Sequence, residues 1–565
     1  MAKTRKRLIL ACDTCRSRRV KCDGQRPYCA PCRIRGLNCF YQQLPESPAT
    51  KVETELANVN LRLDYLTTLL SRQSRPLVLQ EPTSALGSHE DSPFRLLATN
   101  SIMRVFGLDD NYAQRLIQLE RANLLVGTTT LPRTSFIPHQ QITDALAAFS
   151  DRIHSYYPIL PLDFSERYFS TLSDSLTPSC HTCLVLLVAA IGCVARNPTT
   201  GSHYFEAALA SLPVVLAECT VTSIQCLIFL SIYYCCILKP CQAHDYCLIA
   251  SFKIQNLFKR CAYIFSTPWH TYGLQNTGND SLELTHRAYW AILLLERQRS
   301  ELSVQLDVAK SSIWSLDEYI PLPNCQRTWQ FPPPQTTSPA AVSPASIHST
   351  DSTSTTADQA SSFFLAEIAM RRMLHRCNSA VTRTADGRPT YAPGIALELE
   401  RQLDEWYDYL PGNIRFAKEP GPSQQSYAGR IESLSNFLNV QYYCCKLSIY
   451  WPAAFQAIQD GGASIQLLDH VQRFIDAYVQ LLPRIAFAVN DCLVYKWTLS
   501  VSLFTTTMAA LRVAEAPCFG GASRDQLREC LPSAAAVDWR GAEGSPSLEE
   551  LRQTLSARLG EAGYR

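Results

Sequence analysis

From about residue 140 the chain alternates long stretches, in which apolar residues recur every three or four positions, with short polar, Pro- or Gly-bearing breaks. SHYFEAALASLPVVLAE (202–218), TSIQCLIFLSIYYCCIL (222–238), AHDYCLIASFKIQNLFKR (243–260) and LTHRAYWAILLLERQRSEL (284–302) are apolar on one or more faces, as helices sharing a core must be. The two most apolar runs, 184–195 and 224–238, are shorter than the ~18 residues needed to cross a bilayer and predict buried core helices rather than a membrane partner. No strand–helix alternation, phosphate-binding Gly loop or H-E-x-x-H motif interrupts the pattern. The fold class expected is therefore mainly all-α, with a large helical domain over 140–515. Within it, the Ser/Thr/Pro-rich stretch 331–362 predicts a disordered insertion, while 72–139 reads as a linker region and 516–565 as a C-terminal tail.

A second period appears nearer the start. Val52, Leu56, Val59, Leu63, Leu66 and Leu70 are spaced 4, 3, 4, 3, 4, a heptad seam that predicts a short coiled-coil dimerisation helix over 52–71, following a polar linker at 42–51. The same stripe would also suit a helix packed on its own body.

Composition changes this picture by its distribution. The 565 residues carry 52 Lys and Arg against 50 Asp and Glu, a net charge of only +2. Residues 1–50 alone hold eight Arg and three Lys against Asp13, Asp23 and Glu46, a charge of +8, so the remainder carries −6. A small basic head on a mildly acidic, apolar body suits one part that meets polyanions and another that meets proteins or small molecules. After the basic start only the three apolar residues Leu8, Ile9 and Leu10 follow within the first ten, too few for a signal peptide, and Lys3, Arg5, Lys6 and Arg7 in the basic tail (1–11) could serve nuclear import.

Cysteine is divided in the same way. Six of the 23 cysteines, Cys12, Cys15, Cys22, Cys29, Cys32 and Cys39, form C-x2-C-x6-C-x6-C-x2-C-x6-C, two equal halves. A C-x2-C pair folds back so that both thiolates grip one metal, and a third ligand seven residues on returns to it. Tetrahedral zinc wants four sulfurs, so two ions need eight ligand positions, and six thiolates fill eight only if two of them bridge. A single-zinc site would strand two thiols beside a metal, and three disulfides would need an oxidising compartment. Every position being closed by sulfur, the predicted metal is structural and has no water to activate. Between Cys15 and Cys22 lie Arg16, Arg18, Arg19 and Lys21; on a short helix anchored by metal these cannot all face one way, so some reach base edges and others phosphates. In the body, Cys180-His181-x-Cys183 and the adjacent pairs Cys235/Cys236 and Cys444/Cys445 read as small buried hydrophobes, and His154, His203, His244 and His286 show no triad or dyad order.

The run ACDTCRSRRVKCDGQRPYCAPCRIRGLNCFY (11–41) resembles the fungal Zn2Cys6 binuclear-cluster DNA-binding domain in every ligand spacing, with Pro27 matching its loop proline. FSDRIHSYYPILPLDFSERYF (149–169), HYFEAALASL (203–212), the helices of 224–260, 284–303 and DEYIPLPN (317–324) resemble the fungal-specific transcription-factor regulatory domain; the Gly-Arg-Pro-like element often found after its fourth helix is replaced by QLDVAKSS.

The first resemblance implies two zinc ions per chain with Cys12 and Cys29 bridging, and a helix that enters the major groove of double-stranded DNA at a CGG-type half-site. By position, Arg18 and Arg19 would reach guanine, a bidentate contact worth ~1–3 kcal/mol of discrimination. Arg16 and Lys21 would meet phosphate, and Arg33 and Arg35 the backbone. Single modules bury only ~600–1,000 Å², so such heads usually pair, which fits a homodimer through the seam. Together the resemblances imply a nuclear regulator of RNA polymerase II transcription, not an enzyme, working with the transcription machinery or co-regulators. The commonest role in that family is activation of a metabolic or secondary-metabolite gene set. A repressor of the same architecture, or an enzyme with a zinc head, are the alternatives; the body offers no nucleophile, base or cofactor motif for the latter.

Overall fold

The computed structural model describes residues 11–25 and 27–40 and, from 100 onward, all but 124–138, 174–176, 198–199, 265–276, 307–310, 318, 326–327, 332–350, 379–381, 384–388, 419–429 and 565. The seam from Val52 to Leu70, the linker 42–51 and the basic cluster from Lys3 to Arg7 lie outside the described residues. Two compact units divide the chain at 86/87.

The first unit contains two five-residue helices, α1 (Asp13–Ser17) and α2 (Ala30–Ile34). Its buried centre is six cysteines with Ala11 and Leu37 against them. A module this small has too little apolar surface for a core of its own, and sulfur–metal bonding takes that place.

The second unit is a helical array. In chain order it comprises α3 (Asn100–Phe106), α4 (Tyr112–Ala122), α5 (His139–Phe149), a π-helical turn at Ser150–His154, α6 (Phe164–Ser173), α7 (Cys180–Arg196), α8 (Ser202–Leu209) and α9 (Leu212–Ala217). Then follow α10 (Val221–Cys236), α11 (Pro240–Ile264), α12 (Thr277–Leu306), α13 (Asp351–Asn378), α14 (Pro393–Asp408), α15 (Arg430–Asp460), α16 (Ile465–Asp491), α17 (Lys496–Glu515), α18 (Gly521–Ala535) and α19 (Pro546–Glu561). Between α13 and α14 a two-residue antiparallel ladder pairs Thr382 with Thr390.

Helix α10 starts at a reciprocal cap, Ser223 N–H donating to Thr220 Oγ1 and Thr220 N–H to Ser223 Oγ, both at 3.1 Å. Its run from Ile224 to Tyr234 is buried almost all round, between α7 and α11. Each such Leu, Ile or Phe contributes about 1.5–3 kcal/mol on burial. Helix α7 crosses α5 so closely at Gly192 that a Cβ there would sit 2.0 Å from the Ala145 carbonyl oxygen, which excludes any side chain. In the C-terminal half, α16 lies along α15 and buries Leu467, Val471, Phe474, Tyr478, Leu482, Ile485 and Val489, steps of three and four.

Three boundary expectations need correction. The stretch read as linker at 72–139 contains α3 and α4, which bury Met103, Phe106, Tyr112 and Leu116 in the main core. The stretch read as a C-terminal tail forms α18 and α19, with Leu548, Leu551, Leu555 and Leu559 buried along one face; Tyr112 Oη donates to Thr554 Oγ1 at 3.1 Å, joining α4 to α19. Frequent Gly, Ala and Ser in that tail concealed a leucine stripe at helical spacing. The disordered insertion of 331–362 overlaps α13, which begins at Asp351 and by Gln359 and Ala360 is already buried. Ser and Thr are only mildly poor helix formers, and the docking of Phe363 and Phe364 in the core overrides them.

Candidate zinc centre and nucleic-acid interface

The two halves of the head are built alike. Cys12 precedes α1 and Cys15 lies inside it; Cys29 is the N-cap of α2 and Cys32 lies inside that helix, after Pro31 in its first turn. Both helices end in the same turn: Val20 N–H donates to the Cys15 carbonyl at 3.1 Å and Leu37 N–H to the Cys32 carbonyl at 3.0 Å. The residue before each donor is left-handed, Arg19 with φ 52° and Gly36 with φ 59°, the arrangement that satisfies the last carbonyls of a helix.

Two contacts lock the halves together. Asp23, next to Cys22, receives the Ala30 N–H on both carboxylate oxygens at 3.1 Å and so caps α2 from the first half. In return, Asp13 N–H donates to the Phe40 carbonyl at 2.8 Å, and Thr14 Oγ1 donates to the Asn38 carbonyl.

This frame gathers the sulfurs. Cys12 Sγ lies 3.6 Å from Cys29 and 3.7 Å from Cys32, and Cys15 Sγ lies 3.6 Å from Cys29 and 3.8 Å from Cys32. A tetrahedron with zinc–sulfur bonds of ~2.3 Å has edges of ~3.8 Å, so these separations are those of sulfurs sharing tetrahedral metal. Cys22 Sγ comes within 4.8 Å of Cys29 Sγ, and Cys39 Sγ accepts the Cys29 N–H at 3.4 Å. Cys29 thus lies within 4.8 Å of all three sulfurs of the first half, the position of a bridging ligand, and Cys12 and Cys15 both reach the C-x2-C pair of the second. All six sulfurs are buried. Burial opposes ionisation of Cys12, but hydrogen bonds from the Cys15 amide and the Cys15, Cys29 and Cys32 thiols bring its pKa down to about 6. Desolvation first, and neighbouring sulfurs second, push Cys15 and Cys32 up to about 12; at Cys29 desolvation outweighs hydrogen bonding from Cys32 and has the same result. So tight a sulfur cluster holds more than one thiolate only against a cation.

Around this centre, Arg18, Arg19, Lys21, Arg33 and Arg35 are exposed. Arg16 lies on α1, its side chain outside the described residues. The spacing of the cysteines was enough to find the ligands; the roles of Asp23 and Gly36 were missed, and of the two only Gly36, just past the end of α2, carries a local capping signal, whereas Asp23 lies seven residues before Ala30 and reaches it only in the folded head.

In the body, Cys180, Cys183, Cys236 and Cys445 are buried and Cys235 and Cys444 half-buried. His154, His203, His244 and His286 sit on four different elements. Among the described residues no helix is long and apolar enough to cross a membrane.

Residues 10–47 match the fungal Zn(2)-Cys(6) binuclear cluster domain, and residues 146–304 the fungal specific transcription factor domain. Over its whole length the chain is 63% identical to "Putative transcription factor ecdB" of Aspergillus rugulosus, 99% of which it covers. The chain belongs to the fungal Zn2Cys6 transcription factors. It is a DNA-binding transcription regulator whose head is a binuclear zinc cluster held by the six cysteines. Two further relatives match a short part of the chain. Transcription factor FBD3 of Gibberella moniliformis is 46% identical over 70 residues, 12% of this chain and 8% of that protein. Transcription factor qa-1f of Neurospora crassa is 50% identical over 42 residues, 7% and 5% respectively. No solved structure matches.

Proposed function

We propose that this regulator acts in the nucleus as a homodimer that reads CGG-type half-sites and activates a metabolic or secondary-metabolite gene set. The observation that carries the reading is the exposed cationic stretch Arg18, Arg19, Lys21 mounted on a rigid sulfur-bound platform. Arg18 and Arg19 take guanine edges, Arg16 and Lys21 take phosphates, and Arg33 and Arg35 orient the module on the backbone. The seam Val52, Leu56, Val59, Leu63, Leu66, Leu70 pairs two copies and sets the half-site separation, and the helical body recruits the transcription machinery.

Binding of Arg19→Ala to CGG-containing and random duplexes tests base reading. The substitution should weaken the first by at least tenfold and leave the second nearly unchanged; an equal loss on both reassigns Arg19 to phosphate. Leu63→Pro should abolish dimers in sedimentation, and dimers that survive place the contact in the body. Occupancy mapping with transcript profiling of a deletion strain separates activator from repressor by the sign of the change at bound genes.

A further inference from the structure

The first half of the zinc head sets one exposed hydroxyl among its cations. Ser17 is the last residue of α1; Arg16 precedes it, and Arg18, Arg19 and Lys21 follow within four positions. Of the two hydroxyls on α1, that of Thr14 is committed across the halves to the Asn38 carbonyl. Ser17 Oγ only returns to the Thr14 carbonyl, at 3.2 Å, and its lone pairs accept nothing among the described residues. Beyond Ser17 the helix gives way to the left-handed turn at Arg19 and then to irregular chain. The hydroxyl therefore stands where the chain leaves the helix, with three cations on its C-terminal side.

The cations themselves are uncommitted. Arg18, Arg19 and Lys21 enter no ion pair among the described residues, and Asp23 is spent on capping α2 through the Ala30 N–H. A phosphate on Ser17 would set about −1.5 to −2 charges and three acceptor oxygens beside them. A guanidinium fork binds phosphate bidentately, whether the phosphate belongs to DNA or to a neighbouring side chain. The neighbour has the advantage, because a group tethered one residue away acts at an effective concentration of roughly millimolar or more. We propose that Ser17 is a phosphorylation site, and that the arginines beside it capture the phosphate and so give up DNA.

The modifying enzyme is a protein kinase that selects cations C-terminal to its acceptor. Ser17 Oγ attacks the γ-phosphorus of the nucleoside triphosphate bound by that kinase. The Oγ–phosphorus bond forms as the bond to the β,γ-bridging oxygen breaks, the nucleoside diphosphate leaves, and the hydroxyl proton passes to the kinase's carboxylate base. Zinc takes no part: the six sulfurs are buried whereas Ser17 faces solvent, so the metal frame outlasts the modification.

The inference rests on the proposed contact of Arg18 and Arg19 with DNA and supplies a covalent control of that surface. Three full-length proteins are titrated with CGG-containing and random duplexes at two salt concentrations: the unmodified chain, Ser17→Ala, and a chain in which Ser17 is replaced by genetically encoded phosphoserine. Phosphoserine should weaken binding to both duplexes at least tenfold while two zinc ions per chain are retained. It should also flatten the dependence of log affinity on log salt by about two, as for the loss of two DNA phosphate contacts. Ser17→Ala should stay within about twofold of the unmodified chain. Chain recovered from growing and from stationary cultures of its host is mapped by mass spectrometry, and Ser17 should carry phosphate in at least one. Unchanged affinity of the phosphoserine chain for random duplex, release of its zinc, or an unmodified Ser17 in both cultures overturns the proposal. A chain that never favours CGG refutes base reading instead, and the random duplex still reports the effect of the phosphate.

Discussion

Arg19 and Gly36 occupy the same place in the two halves of the zinc head, each the left-handed residue that closes a short cysteine-bearing helix, with φ 52° and 59°. Glycine takes that conformation without steric cost, whereas an L side chain sets Cβ against the backbone. The half that bears Arg18, Arg19 and Lys21 therefore retains a strained arginine where its twin uses the relaxed residue. If Arg19 takes guanine as proposed, recognition and stability oppose each other at one position.

Arg19→Gly should accordingly raise the stability of the zinc-loaded head by about 1 kcal/mol while weakening its binding to CGG-containing DNA. Thermal unfolding of the full chain, followed through a probe in the head, and a duplex titration measure the two effects. A variant less stable than the parent would show that the Arg19 side chain stabilises the turn it strains.

The sulfur positions make the cysteines unequal. Cys29 lies 3.6 Å from both Cys12 and Cys15 and within 4.8 Å of Cys22, so Cys29→Ala removes a ligand from both ions and should lower zinc from two per chain to below one. Cys39→Ser, at a terminal position, should retain about one. Equal losses by elemental analysis would argue against bridging by Cys29.

Acid should release the metal in a defined direction. Burial holds Cys15, Cys29 and Cys32 up to about 12, so zinc must displace their protons and the apparent affinity falls as pH falls. Chelator competition between pH 8 and pH 5 should show zinc lost progressively toward the acid end. A pH-independent exchange would mean that the thiols are already ionised without metal.

Asp23 joins the halves through the Ala30 N–H, 3.1 Å from both its carboxylate oxygens. Asp23→Ala should destabilise the head by about 1 kcal/mol, the usual worth of a helix cap, and Asp23→Asn, which keeps one acceptor, by less. Zinc retention against a chelator ranks the three proteins. No difference among them would leave the sulfur–metal bonds as the sole link between the halves.

What could be read from the sequence followed from how local the physics is. Metal coordination tolerates few spacings, so the six head cysteines declared the centre, and helical periodicity declared the body from 184 to 302. The leucines at 548, 551, 555 and 559 also obey that periodicity, but the short, Gly- and Ala-rich context around them hid it. Asp351 begins a helix in a Ser/Thr-rich stretch because Phe363 and Phe364 dock in a core assembled from distant elements. Arg287 reads locally as one charge on a helix face; its burial depends on the carbonyls of Pro158 and Leu160, some 130 residues earlier.

The most distant of these dependences gives the last prediction. Glu120, at the end of α4 and 3% exposed, accepts on Oε1 the Ser547 N–H at 3.0 Å, the Ser547 hydroxyl at 2.7 Å and the Ser545 hydroxyl. The carboxylate thereby supplements the cap of α19 made by Ser545, whose Oγ accepts the Leu548 N–H at 3.4 Å, across a separation of more than 420 residues. Glu120→Ala would strand the buried Ser547 amide and one of the two hydroxyls, the other being able to donate to its neighbour 3.1 Å away, and an orphaned buried donor costs about 1–3 kcal/mol. Glu120→Gln keeps one oxygen acceptor but forfeits the charge assistance, so its loss should be smaller. Urea unfolding followed by far-ultraviolet circular dichroism should order the midpoints wild type, Gln, Ala, with two zinc ions per chain retained throughout because the head is a separate compact unit. An Ala variant as stable as the wild type would show that α19 holds its place by the leucines at 548, 551, 555 and 559 alone, without the carboxylate of α4.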